Sequence, residues 1–130
     1  MDVASTMDLF ATAHQLAGRE LPTDRTLDSH DLTPVLLGKG PSTRRALFYY
    51  RGYDLMAVRV GPFKAHFKTQ DAYGSSKRET HDPPLLFNLD VDPSERHNVA
   101  KDHADVLKEI AEVTEAHRRE MKPAPSQLEL

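Results

Sequence analysis

No cysteine occurs in this chain of 130 residues, and that single absence removes disulfide frameworks, thiolate-held zinc, iron–sulfur clusters and thiol nucleophiles together. No apolar run approaches the ~18 residues needed to cross a bilayer, so no membrane partner is expected. The opening Met1-Asp2-Val3-Ala4-Ser5 has neither the basic n-region nor the apolar h-region of a secretory signal. Positive charge is not in excess either. Seventeen Lys+Arg against 20 Asp+Glu give a formal charge of −3, which argues against a nucleic-acid partner. What is present, 38% apolar residues in a chain of this length, suffices for one core burying about two-thirds of the unfolded surface. A single domain over 1–130 is expected, with an N-terminal helix and connection in 1–44 and a sheet with a C-terminal helix in 45–122.

The period of the apolar residues predicts the elements. Leu9, Phe10, Ala13, Leu16 and Ala17 recur at helical spacing after the candidate caps Ser5 and Thr6, and Gly18 stands where a helix would stop, so a short helix is expected over 6–17. Its apolar stripe needs a surface to pack on. Residues 19–44 are dominated by turn-forming and charged residues and read as a long connection, with one helical turn started by Pro34. Ala46 to Tyr50, Met56 to Val60 and Phe63 to Lys68 change to strand period, separated by Gly52-Tyr53-Asp54 and Gly61-Pro62. Met56, Val58 and Val60 are expected to share one face. The polar stretch from Thr69 to Asp82 reads as a loop closed by Pro83-Pro84, and Leu85 to Leu89 as a fourth strand followed by the turn Asp92-Pro93-Ser94-Glu95. A final helix opens at Asp102 with Val106, Leu107, Ile110, Val113, Thr114, His117 and Met121 along one side and an i,i+4 pair of Glu115 with Arg119 on the other. The fold class is therefore α+β: a small four-stranded antiparallel sheet packed against a C-terminal helix, preceded by a short N-terminal helix and a long connection.

Chemistry is sparse. The seven histidines form no H-x-H or H-x-x-x-H with an adjacent carboxylate, so no metal is expected in this chain. The pairs Asp28/Asp31 and Asp90/Asp92 lie in turns, where Asp side chains bond local backbone. One positive cluster stands out: Lys64, His66 and Lys68 on one strand face, with Lys77, Arg78 and His81 in the following segment, types suited to sulfate, phosphate or carboxylate. Alternating lysines also protect an exposed sheet against edge pairing.

Several blocks, in order, resemble the C-terminal part of the sulfatase family. They include Met7-Asp8-Leu9-Phe10-Ala11-Thr12, Leu27-Asp28-Ser29-His30-Asp31-Leu32 and Leu47-Phe48-Tyr49-Tyr50-Arg51-Gly52. The most specific are Gly61-Pro62-Phe63-Lys64-Ala65-His66-Phe67, then His81-Asp82-Pro83-Pro84-Leu85-Leu86-Phe87-Asn88-Leu89 with Asp92-Pro93-Ser94-Glu95. Ser29 departs from the family, which usually has Gly there. The resemblance implies a small four-stranded sheet with a C-terminal helix beside a catalytic domain, the partner, whose formylglycine and calcium do the chemistry. The formylglycine motif C/S-x-P-S-R is absent; Gly40-Pro41-Ser42-Thr43-Arg44 resembles it only superficially, without Cys or Ser two residues before the proline. Without that nucleophile the chain alone is expected to be inactive, shaping the wall of a cleft for a sulfated substrate. The resemblance points to His81, Tyr50 and Arg51, then Lys64 and His66, as substrate contacts. Two other classes stay open: a free-standing module binding sulfated or acidic glycans through the cationic cluster, and a structural domain that forms a homo-oligomer through the exposed apolar face of residues 9–17.

Overall fold

The structure, a computed structural model, describes residues 2–71 and 77–121. Part of the polar loop and the proline-containing tail lie outside the described residues. The element order is α1 (Asp8–Leu16), α2 (Thr33–Leu36), β1 (Ala46–Arg51), β2 (Asp54–Val60), β3 (Phe63–Gln70), β4 (Arg78–Asn88) and α3 (Ala104–Glu120). The strands form one antiparallel meander in the order β1-β2-β3-β4, and α3 packs on β2 and β3, as the α+β expectation required.

Register decides which residues meet the helix. Val58, Ala65 and Leu86 are cross-strand partners and lie at the centre of the face under α3, where they join Ile110 in the buried core. Phe63, Phe67, Val106, Leu107 and Val113 pack around them, so the helix stripe covers the expected sheet face. A bulge corrects one expectation. Tyr49 pairs with Ala57 but Tyr50 pairs with Leu55, leaving Met56 as the extra residue; Leu55 therefore enters the core while Met56 lines the opposite face.

The fourth strand is longer than the expected Leu85 to Leu89. Lys68, Thr69 and Gln70 pair with Thr80, Glu79 and Arg78, so much of the expected loop is strand. The ladder is irregular between His66 and Lys68, opposite the segment holding Pro83 and Pro84, and the proline pair, which has no N–H to donate, falls in this interruption. Beyond β4, Asn98 Oδ1 accepts the Leu86 and Ala100 N–H groups and Val99 donates to the Leu86 carbonyl, covering that edge. Other corrections are local. Asp102 does not cap α3, whose N-cap is His103, and Glu115 pairs with Arg118 at i,i+3 rather than with Arg119.

The N-terminal segment is organised by polar groups. Helix α1 turns Asp8, Ala11 and Thr12 inward, while Leu9 is 61% exposed, Phe10 45% and Leu16 65%. The caps differ from expectation as well: the N-cap is Met7 without a side-chain bond, and Ser5 instead donates its N–H to Asp8 Oδ2 at 2.8 Å. Gly18, at φ +62°, closes the helix as expected. Arg44, at the entry to β1, forks onto both oxygens of Asp8 and also reaches Asp28. Thr12 Oγ1 accepts the Leu32 N–H, and Ser29 Oγ takes the Ala11 N–H while donating to the Met7 carbonyl. The residue that departs from the family thus supplies two tertiary hydrogen bonds that glycine could not make.

Candidate functional site

On the sheet face away from α3, the cross-strand row Tyr49, Ala57, His66 and Leu85 lies beside the pair Lys64 and Phe87. Alternation along β3 puts Lys64, His66 and Lys68 on this face, because Phe63, Ala65 and Phe67 are committed to the core. A cavity of about 210 Å³ opens there, walled by Tyr49, Met56, Lys64, His66 and Lys68. The Lys64 ammonium stands 4.8 Å above the Tyr49 ring, and Phe87 meets the His66 ring edge-on at 5.7 Å.

The cations on this wall are already balanced. Glu95 gives one oxygen to Lys64 Nζ and the other to His66 Nε2, each at 2.7 Å. Asp54 receives Lys68 and Arg78 in the same divided manner. Burial would raise the Glu95 carboxyl, but the hydrogen bond and charge of Lys64, with His66 adding, hold it below the usual range. Burial also pushes the His66 imidazole down, Glu95 pulling against it and Lys64 reinforcing it. For Asp54, the hydrogen bond from Lys68 is the main influence lowering the carboxyl.

Three of the residues singled out from the sequence come together here. Lys64 and His66 line the cavity; His81, on the irregular stretch of β4, hydrogen-bonds at 2.8 Å to Thr69, which also lines it. Tyr50 is elsewhere. It faces the helix side, its hydroxyl 3.0 Å from His117 Nε2 and donating to Met121 Sδ, while its neighbour Tyr49 faces the cavity. Arg51 is exposed at the end of β1. The sequence reading missed Tyr49, Met56, Asp54 and Glu95. Glu95 left no local signal, because its partners lie 31 and 29 residues away in sequence.

Among the described residues, no group of three or more His, Asp or Glu side chains comes together as a metal site. What the wall offers is electrostatic: two ammonium groups and an imidazole around a partly apolar cavity, each held by a carboxylate at its rim.

Residues 42–130 match the family model described as the C-terminal region of aryl-sulfatase. Human arylsulfatase A is 40% identical over 125 residues, covering 84% of this chain and 24% of that protein. Dog N-acetylgalactosamine-6-sulfatase is 38% identical over 149 aligned positions, covering 97% of this chain and 28% of that protein. Among solved structures, one from a study of glycosaminoglycan metabolism by Bacteroides thetaiotaomicron superposes with a TM-score of 0.66 at 31% identity, over 86% of this chain and 24% of that one. The PsFucS1 sulfatase from Pseudoalteromonas sp. superposes with a TM-score of 0.72 at 26% identity, over 86% of this chain and 25% of that one. The chain spans about a quarter of the length of the curated relatives it matches.

Proposed function

The chain belongs to the sulfatase family, whose C-terminal region it forms, and from that premise we propose that it works as one wall of a sulfatase substrate cleft, docked on a catalytic domain that supplies the nucleophile and the calcium. The observation that carries this reading is the inverted helix α1. A nine-residue helix that buries Asp8, Ala11 and Thr12 and shows Leu9, Phe10 and Leu16 to water is built to be covered on its outer side. Met7, Leu36 and Leu37 are exposed as well, and α2 packs against α1. The relatives are roughly four times longer than this match, so the rest of a sulfatase chain is the occupant of fitting size.

The wall that faces substrate is the Lys64, His66 and His81 side of the sheet. Lysine and histidine there would meet the sulfate or the leaving group, while Tyr49 and Met56 line the apolar part of the cavity. Tyr50, turned to the helix side, and Arg51, exposed at the end of β1, stand outside this wall.

The docking reading is tested by mixing this chain with a sulfatase catalytic region prepared without its own C-terminal quarter. A one-to-one complex is expected by light scattering, and changing Leu9 and Phe10 together to Ser should weaken it about 100-fold or more, as loss of two buried apolar anchors does. The same double change should leave the melting temperature of the isolated chain almost unaltered, because both side chains are already exposed there. Self-association of the chain alone, abolished by these changes, would instead favour the homo-oligomer. Unaltered complex formation by the double variant would remove α1 from the interface.

A further inference from the structure

We infer that Glu95 is a positioning residue for this cationic wall: by holding Lys64 and His66 on one carboxylate it readies the imidazole to take up a proton when an oxyanion enters the cavity. The inference rests on the wall being an anion site, as proposed above.

Its first support is the backbone. Glu95 has φ +54°, the one non-glycine residue in the left-handed region among the described residues. An L-residue there costs on the order of 1 kcal/mol that glycine would not. The turn is fixed independently of the Glu95 side chain: Asp92 Oδ2 accepts the N–H groups of Arg96 and His97, and the Asp92 carbonyl accepts the Glu95 N–H. A carboxylate is thus held at a position where glycine would serve the turn better, and its two oxygens are shared between Lys64 and His66.

The second support is the balance of charge around the ring. Lys64 and Lys68 lie on the same strand, His81 on β4, Tyr49 on β1 and Glu95 on the turn after β4. Burial and the ammonium of Lys64 oppose an imidazolium, and Glu95 favours it. With Nε2 engaged by Glu95, a proton from solvent adds at Nδ1 and gives the ring two N–H donors. A bound oxyanion adds a second negative charge beside the ring, so proton uptake and anion binding strengthen each other reciprocally. Glu95 fixes which nitrogen is spoken for and supplies the charge without which burial keeps the ring neutral.

The experiment is an NMR titration of the His66 imidazole in this chain, with and without inorganic sulfate, in the wild type, Glu95→Gln and Glu95→Asp. Glu95→Gly is added because glycine accepts φ +54° and keeps the turn folded. In the wild type, sulfate is expected to raise the His66 midpoint and to bind about five-fold tighter at about pH 5.5 than at about pH 7.5. In Glu95→Gln and Glu95→Gly the midpoint should fall and binding at about pH 5.5 should weaken about five-fold, the loss of one charge-assisted contact, with Glu95→Asp restoring part of both. Equal or tighter sulfate binding in Glu95→Gln and Glu95→Gly at every pH would overturn the inference, since Glu95 would then only compete with the anion for Lys64. No sulfate binding by the wild type at any pH would reject the anion wall itself, and the inference with it.

Discussion

Replacing Arg44 by Met is expected to destabilise the chain by about 3–5 kcal/mol, the range seen when one partner of a buried ion pair is removed and the other is left behind. Asp8 is 0% exposed and Arg44 4%, so water cannot take over the lost contact. The aspartate would keep only the N–H groups of Ser5 and His30. Changing both residues, Asp8→Leu with Arg44→Met, should recover much of the loss, because no uncompensated charge stays buried. The pair also sets a pH dependence. Burial works to raise the Asp8 carboxyl, but the Arg44 guanidinium and the two backbone N–H groups outweigh it and lower the pKa from 3.8 to about 2. A lowered carboxyl contributes stability that is complete above the unfolded value and is lost as pH falls through the folded one. Roughly 2 kcal/mol should therefore disappear from about pH 5 to below pH 2, and this loss should be missing in the double variant. Urea unfolding across that range measures both effects.

The second large effect belongs to the helix–sheet core. Ile110 is 1% exposed and packs in one cluster with Val58, Ala65 and Leu86, so Ile110→Ala should cost about 2–5 kcal/mol by leaving a cavity beneath α3. Leu9→Ala, an equally apolar truncation on α1, should change stability by less than about 0.5 kcal/mol, since Leu9 faces water. Denaturant midpoints of the two variants compare them directly. Equal losses would mean that Leu9 is as deeply packed as Ile110, contrary to its exposure.

Periodicity was enough to read the meander and α3, because residues such as Val106, Ile110 and Val113, or Phe63, Ala65 and Phe67, meet the core at regular intervals, whereas α1 was read from an apolar stripe that faces water. It failed where the chain breaks its own period. The bulge at Met56 changes the parity of β2, so simple alternation placed Met56 in the core instead of Leu55. The irregular ladder around Pro83 hid the first half of β4, since a proline pair after a polar stretch has the composition of a loop. At the candidate site the basic residues were legible from β3 alone. Their acidic partner was not, because Glu95 lies 29 residues from His66 and 31 from Lys64, and pairing over that distance leaves no local pattern. Arg44 is a similar case: read in sequence it completes an imitation of a modification motif, whereas in the fold it ties α1 to β1 through Asp8, 36 residues away.

Turnover of an aryl sulfate is the most direct measurement of whether this chain is a cleft wall and not an enzyme by itself. The chain alone, with or without added calcium, should show none, because it carries no cysteine and no serine in the motif that yields formylglycine. Added to a sulfatase catalytic region prepared without its C-terminal quarter, it should restore turnover, and His81→Ala or Lys64→Ala in this chain should reduce what is restored about ten-fold or more. Turnover by the purified chain alone that is lost in His81→Ala would contradict this account outright.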